Sequence, residues 1–210
     1  MAVPNEPRLS SLQQERSRQT RKKLVSAANR LWRAKGFNET TVRDICAAAG
    51  VAKGTFYFYF PHKEDLLLEL GYATAERAAE EVTSDPDTAE TTEDLMHTVV
   101  TGIARRVGRT PVKLVEQSII ELSRSFDRVA QVRSTRQDLQ TTFTAIFERG
   151  QERGEVATDH DAAELAAVLT AVILQGLLLW AQGDVAGRSL EAALWDRTLL
   201  VLRGAAHTTV

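Results

Sequence analysis

A chain of 210 residues with 43% apolar side chains can bury a core unaided, and its lone cysteine, Cys46, excludes an internal disulfide. No cationic and apolar secretory leader opens it, so a reducing cytoplasm is the expected compartment. The net charge of −2 hides a division: residues 1–63 hold 12 Lys and Arg against 4 Asp and Glu, net +8, while residues 64–210 hold 14 against 24, net −10.

Apolar residues recur at three- and four-residue intervals and alternating runs are absent, which predicts an all-α protein of about nine helices. Residues 1–12, with Pro4, Pro7, Ser10 and Ser11, read as a loose arm. A first helix is expected from Gln14 to Lys35, with Leu24, Ala28, Leu31 and Trp32 inward and Gly36 as its left-handed cap. A second begins at Thr41, with Asp44 three residues on as in a capping box; Val42, Ile45 and Ala49 form its buried face and Gly50 ends it. A short helix then carries Thr55 to Tyr59, and two short helices joined by a glycine turn make a helix-turn-helix. Pro61 breaks the chain before a long helix from His62 or Lys63 to about Val82. After a polar loop at Thr83–Thr92, helices are expected at Glu93–Arg106, Pro111–Phe126, Arg128–Gly150, Asp161–Gln182 and Ser189–Arg203. Thr110 before Pro111, and Asp161 with Glu164, have the spacing of helix caps. The apolar run Leu165–Ala181 is interrupted by Thr170, Gln175 and Gly176 and is too short to span a bilayer, so it reads as a buried helix, with no membrane partner.

A recognition helix needs hydrogen-bond donors in its first turn and little bulk where its backbone approaches base edges. Lys53, Gly54 and Thr55 meet that need; Tyr57 and Tyr59 offer hydroxyls to phosphates, and Phe56 and Phe60, four apart, anchor the helix. Thr41 and Arg43 at the start of the second helix, and Lys63 at the start of the fourth, are candidate phosphate contacts. Phe58 either presses on a thymine methyl or is simply exposed. Arg16, Arg18, Arg21, Lys22 and Lys23 either track the DNA backbone or minor groove, or form a solvated basic face. Cys46 reads as a small core residue with no evident basic neighbour.

The segment Thr41–Lys63, TVRDICAAAGVAKGTFYFYFPHK, with Leu24–Phe37 before it, resembles the TetR family of bacterial regulators. The resemblance implies a helix-turn-helix domain over residues 13–62 and a helical ligand-binding and dimerisation domain over 63–210. Ala52 departs from the family pattern, which often has Ser or Thr there, so the recognition helix lacks a side-chain cap. The implied activity is that of a transcriptional regulator, commonly a repressor, that binds double-stranded operator DNA. A homodimer would pair through the last two helices, where Leu174, Leu178, Leu194 and Trp195 are candidates. Its two recognition helices would lie about 34 Å apart and favour a palindrome. The resemblance also implies a cavity for a small-molecule effector, with candidates Tyr72, Met96, Gln117, Phe126, Phe143 and Gln175. Effector binding would favour a state in which the fourth helix swings the heads out of register with the grooves.

An enzyme is not expected. His62, His97, His160 and His207 are dispersed, no HExxH, GxSxG or GxxxxGK is present, and no cofactor or metal site is predicted. An architectural DNA-binding protein that senses nothing, and an activator in place of a repressor, both remain compatible with the sequence.

Overall fold

The computed structural model describes residues 7–81, 91–124, 139–184 and 187–206. Among the described residues there are nine helices and no strand. Helix α1 (Pro7–Lys35) begins at Pro7 rather than at Gln14, so residues 7–12 of the expected arm belong to it. The physical reason is that a first helical position needs no N–H and suits proline's fixed φ. It is followed by α2 (Val42–Ala49), α3 (Lys53–Tyr59) and α4 (Asp65–Glu81). The remaining helices are α5 (Thr92–Val107), α6 (Val112–Arg124), α7 (Leu139–Glu152), α8 (Ala162–Ala181) and α9 (Leu190–Ala205). The start of the helix expected at Arg128, and Phe126 with it, lie outside the described residues.

The chain divides into two units, residues 1–70 and 71–210, and α4 begins in the first and ends in the second. In the first unit, Leu24, Ala28 and Trp32 of α1, Ile45 of α2, Phe56 of α3, Phe60 and Leu66 are buried, forming a three-helix core closed by the start of α4.

The second unit is built around α8. Ala166, Leu169, Ile173 and Leu177, three and four residues apart, put one stripe of α8 into a core shared with Met96, Val99 and Ile103 of α5, Val115 and Ile119 of α6, Phe143 and Phe147 of α7, and Leu194 of α9. Helix α8 is long and apolar enough to cross a membrane by length and composition, but this buried stripe is that of a core helix. Gly176 lets α9 approach closely: a Cβ there would lie 2.8 Å from Leu194 Cδ2.

Caps fix the helix starts. Thr91 and Asp94 form a full capping box on α5, Asp161 accepts from Ala163 and Glu164 on α8, and Ser189 accepts from Ala192 on α9. Thr110 does not cap α6 as expected. Its hydroxyl donates back to the Arg106 carbonyl at 3.2 Å, and the Pro111 carbonyl accepts the first bonds of α6. One further cap comes from outside any helix: Glu155 Oε2 accepts from the Thr92 N–H at 2.6 Å and the Thr92 hydroxyl at 2.7 Å, holding the start of α5.

Candidate nucleic-acid interface

Helix α2 is held by a reciprocal box. The Thr41 hydroxyl accepts from the Asp44 N–H at 3.1 Å, and Asp44 Oδ2 accepts from the Thr41 N–H at 2.9 Å. Lys35 Nζ also donates to Asp44 Oδ2, at 2.7 Å. That ammonium, together with the bonds from Thr41, holds the Asp44 carboxyl well below the usual carboxylate range. At the other end Gly50 has φ 67°, the left-handed cap that turns the chain from α2 into α3.

Helix α3 starts at Lys53 behind Ala52, which makes no side-chain cap bond. Phe56 and Phe60 are fully buried with ring centroids 5.9 Å apart, so the opposite face of this short helix points to solvent. Lys53, Gly54, Tyr57 and Phe58 are exposed, and Thr55 and Tyr59 are half-buried. Phe58 is 79% exposed and Tyr57 45%. The Lys53 ammonium lies 5.7 Å from the Tyr57 ring centroid, a loose cation–π contact that orders the donor without consuming its hydrogen bonds. The result is a patch with a cation, a hydroxyl and a bare phenyl ring on a rigid helix. Thr41 and Arg43 are exposed on α2 in the same unit.

Lys63 is half-buried and bonded within the unit. Its ammonium donates to the carbonyls of Phe37 and Thr40, both at 3.0 Å, and sits 4.0 Å from the Phe37 ring centroid. It ties the loop after α1 to the start of α4, a positioning role beside the phosphate contact expected of it. Arg21 is likewise paired within the unit, with Glu69 at 2.5 Å and against the Phe60 ring at 4.9 Å. Cys46 is buried, and burial pushes its thiol up although the charge of Lys53 pulls the other way; that basic neighbour was not evident in the sequence.

In the second unit, Tyr72, Met96 and Phe143 are buried and Gln117 is half-buried. Gln175 is exposed, on the outer side of α8, so it does not face the core as expected. Three buried polar residues on neighbouring helices were not foreseen as polar handles: Glu121, Thr142 and Thr170. The Thr170 hydroxyl has no hydrogen-bond partner among the described residues. Its signal was present in the sequence, where Thr170 interrupts an apolar run.

The outer side of α8 and α9 carries a groove of ≈460 Å³ lined by Leu165, Val168, Val172, Leu200 and Val201, with His160, Glu164 and Arg197 also on its walls. Val168 is 50% and Leu200 72% exposed. Leu194, by contrast, is fully buried in its own core, so it is not available to a partner, while Leu174, Leu178 and Trp195 are half-buried. Trp195 meets the exposed His97 edge-on at 4.6 Å between ring centroids.

Residues 24–70 match the model for bacterial regulatory proteins of the tetR family, and residues 85–197 match the tetracyclin repressor-like C-terminal domain. A transcriptional repressor from Brucella suis, BepR, is 24% identical over 176 residues, covering 79% of this chain and 82% of its own. The regulator EthR of Mycolicibacterium smegmatis is 47% identical, over 47 residues that make up 22% of each protein. Among solved structures, the TetR-family repressor FadR of Thermus thermophilus, in complex with lauroyl-CoA, is 26% identical with a TM-score of 0.77, covering 90% of this chain and 97% of that one.

Proposed function

The chain belongs to the tetR family of bacterial regulatory proteins and is a DNA-binding transcriptional regulator, not an enzyme; from that premise we propose a homodimeric, cytoplasmic repressor of a palindromic operator, released by a small-molecule effector. The observation that carries the reading is the division of α3 into an anchored face, Phe56 and Phe60, and an offered face, Lys53, Gly54, Tyr57 and Phe58. Base-edge donation falls to Lys53, close approach to Gly54, and phosphate contact to Thr41, Arg43, Thr55, Tyr57 and Tyr59.

The second copy would cover the groove on α8 and α9. Val168 and Leu200 supply exposed apolar area there, and a twofold axis would pair the patch with itself; Leu174, Leu178 and Trp195 are half-buried outside the groove lining, Leu178 and Trp195 packed against their own core, so they fall to the edge of such an interface at most. Effector binding falls to the second unit, where Tyr72, Met96 and Phe143 supply apolar walls, Gln117 and the Thr170 hydroxyl, without a partner among the described residues, supply polarity, and the buried Glu121 supplies a carboxyl group. Acyl-CoA thioesters are the first class to test, because the structural relative FadR is in complex with one.

The test is sedimentation and operator binding with Leu200→Glu, followed by a titration of the wild-type complex with acyl-CoAs of graded chain length and with small aromatic compounds. The account expects a dimer, a monomeric variant that loses operator affinity, and release by at least one ligand. A variant that stays dimeric would refute the interface, and an operator complex indifferent to every ligand would refute the sensing role.

A further inference from the structure

Helix α1 extends well ahead of the matched family region, which begins at Leu24. Between Gln14 and Lys23 no residue is buried, yet the chain is helical throughout. Only Ser17, Thr20 and Arg21 are half-buried, and they continue the stripe of Leu24, Ala27 and Ala28 that packs into the unit. With 100° between successive residues, Arg18 and Lys22 stack four apart on one flank of that stripe, and Arg16 and Lys23 lie seven apart on the other.

All four cations are exposed, and none has a side-chain partner among the described residues. Arg21, which faces the unit, is the one neutralised, by Glu69. Glu15, the lone acid in Gln14–Lys23, accepts from Gln19 at 3.3 Å and sets one carboxylate against the four exposed cations, so the stretch stays strongly positive. Like charges four apart repel, and a stretch that buries nothing gains little from packing, so the arrangement lacks a partner within the described chain. The complementary partner is a polyanion, and α2 and α3, which carry the residues proposed to meet DNA, belong to the same unit.

We propose that Arg16, Arg18, Lys22 and Lys23 contact the sugar-phosphate backbone of the duplex flanking the bases read by α3, lengthening the operator footprint without adding base specificity. The inference rests on the DNA-binding reading above.

It is tested with full-length protein and the variant R16Q/R18Q/K22Q/K23Q, on operator duplexes with short and extended flanks, over a series of salt concentrations. Each lost phosphate contact removes about 0.9 from the slope of log affinity against log salt, so four contacts in each of two subunits give a slope shallower by about 7. The expected result is that slope change, an unchanged consensus, and loss of the advantage of long flanks. The variant's thermal midpoint should not fall, since neutralising repelling charges leaves the helix no less stable. The charge-preserving variant K22R/K23R should behave as wild type. An unchanged slope and flank dependence in the quadruple variant would overturn the proposal while leaving the α3 reading intact. Loss of consensus together with a lowered midpoint would overturn it in favour of a structural role for these residues. Failure of the wild type to bind any duplex would overturn both readings.

Discussion

Lys63→Met separates positioning from DNA contact. The substitution keeps the length of the side chain but removes two bonds to the Phe37 and Thr40 carbonyls and a cation 4.0 Å from the Phe37 ring. The Phe37 carbonyl keeps a donor, the Thr40 N–H at 3.2 Å, so its loss is cushioned. The Thr40 carbonyl belongs to a residue with no solvent exposure and loses a charge-assisted bond. One such bond contributes about 1.5–3 kcal/mol and a partly desolvated cation–π contact about 0.5–1 kcal/mol. Since the terms share one ammonium, the expected total is about 2–3 kcal/mol. At about 2–4 °C per kcal/mol for a chain of this size, the thermal midpoint should fall by about 4–12 °C. Urea unfolding of wild type and variant measures the first quantity, and the salt slope of operator binding measures the alternative. If stability were unchanged while the slope became shallower by about one per subunit, Lys63 would be a phosphate contact and the positioning argument would be wrong.

Three other outcomes follow from named contacts. Gly150→Ala should destabilise by about 1–3 kcal/mol, because the new methyl would press on Thr92 Oγ1 and come within 2.7 Å of Val156 Cγ2, and Thr92 is held by Glu155; a thermal midpoint equal to wild type would contradict this. Asp44, Asp94 and Glu155 all have depressed pKa values in the folded chain: Asp44 through Lys35 and Thr41, Asp94 through Thr91, and Glu155 because, against burial, the Thr92 bonds with Arg153 and Arg149 prevail. Depressed carboxylates stabilise above their unfolded pKa, so this contribution is present at neutral pH and is lost as pH falls below about 4 toward the folded values. Glu155→Gln should lower the midpoint at pH 7 and narrow its difference from pH 3, whereas parallel curves would refute the linkage. Phe58→Ala should weaken operator binding only where thymine methyls are present, so deoxyuridine in the half-sites should cost wild-type affinity but not the variant's; equal losses would leave Phe58 a bystander.

The head was legible because its signals are local. Thr41 and Asp44 at capping-box spacing, Gly50 at a left-handed turn, and Phe56 and Phe60 four apart each specify a geometry within a few residues, and the structure shows those geometries. The positioning bonds of Lys63 were not legible because its partners lie 26 and 23 residues earlier, and no periodicity reports a side chain bonded to distant carbonyls. Helix α8 was ambiguous for a different reason: it is apolar nearly all round, so its pattern does not tell the stripe buried in the subunit from the stripe offered outward. Gln175 was therefore assigned to the interior when it is exposed; Leu194 of α9, assigned to the partner, is fully buried in its own core. The Glu155–Thr92 cap joins a loop to a helix 63 residues away, a pairing only the fold reveals.

The central claim is that the exposed face of α3 reads DNA sequence. Selection of binding sites from random duplexes by wild type, in parallel with a variant carrying Lys53→Ala and Tyr57→Phe, tests it most directly. The account predicts a palindrome enriched by wild type alone, with half-sites about one helical turn apart and affinity falling steeply with salt. No enrichment by wild type, or the same palindrome enriched equally by the variant, would contradict it.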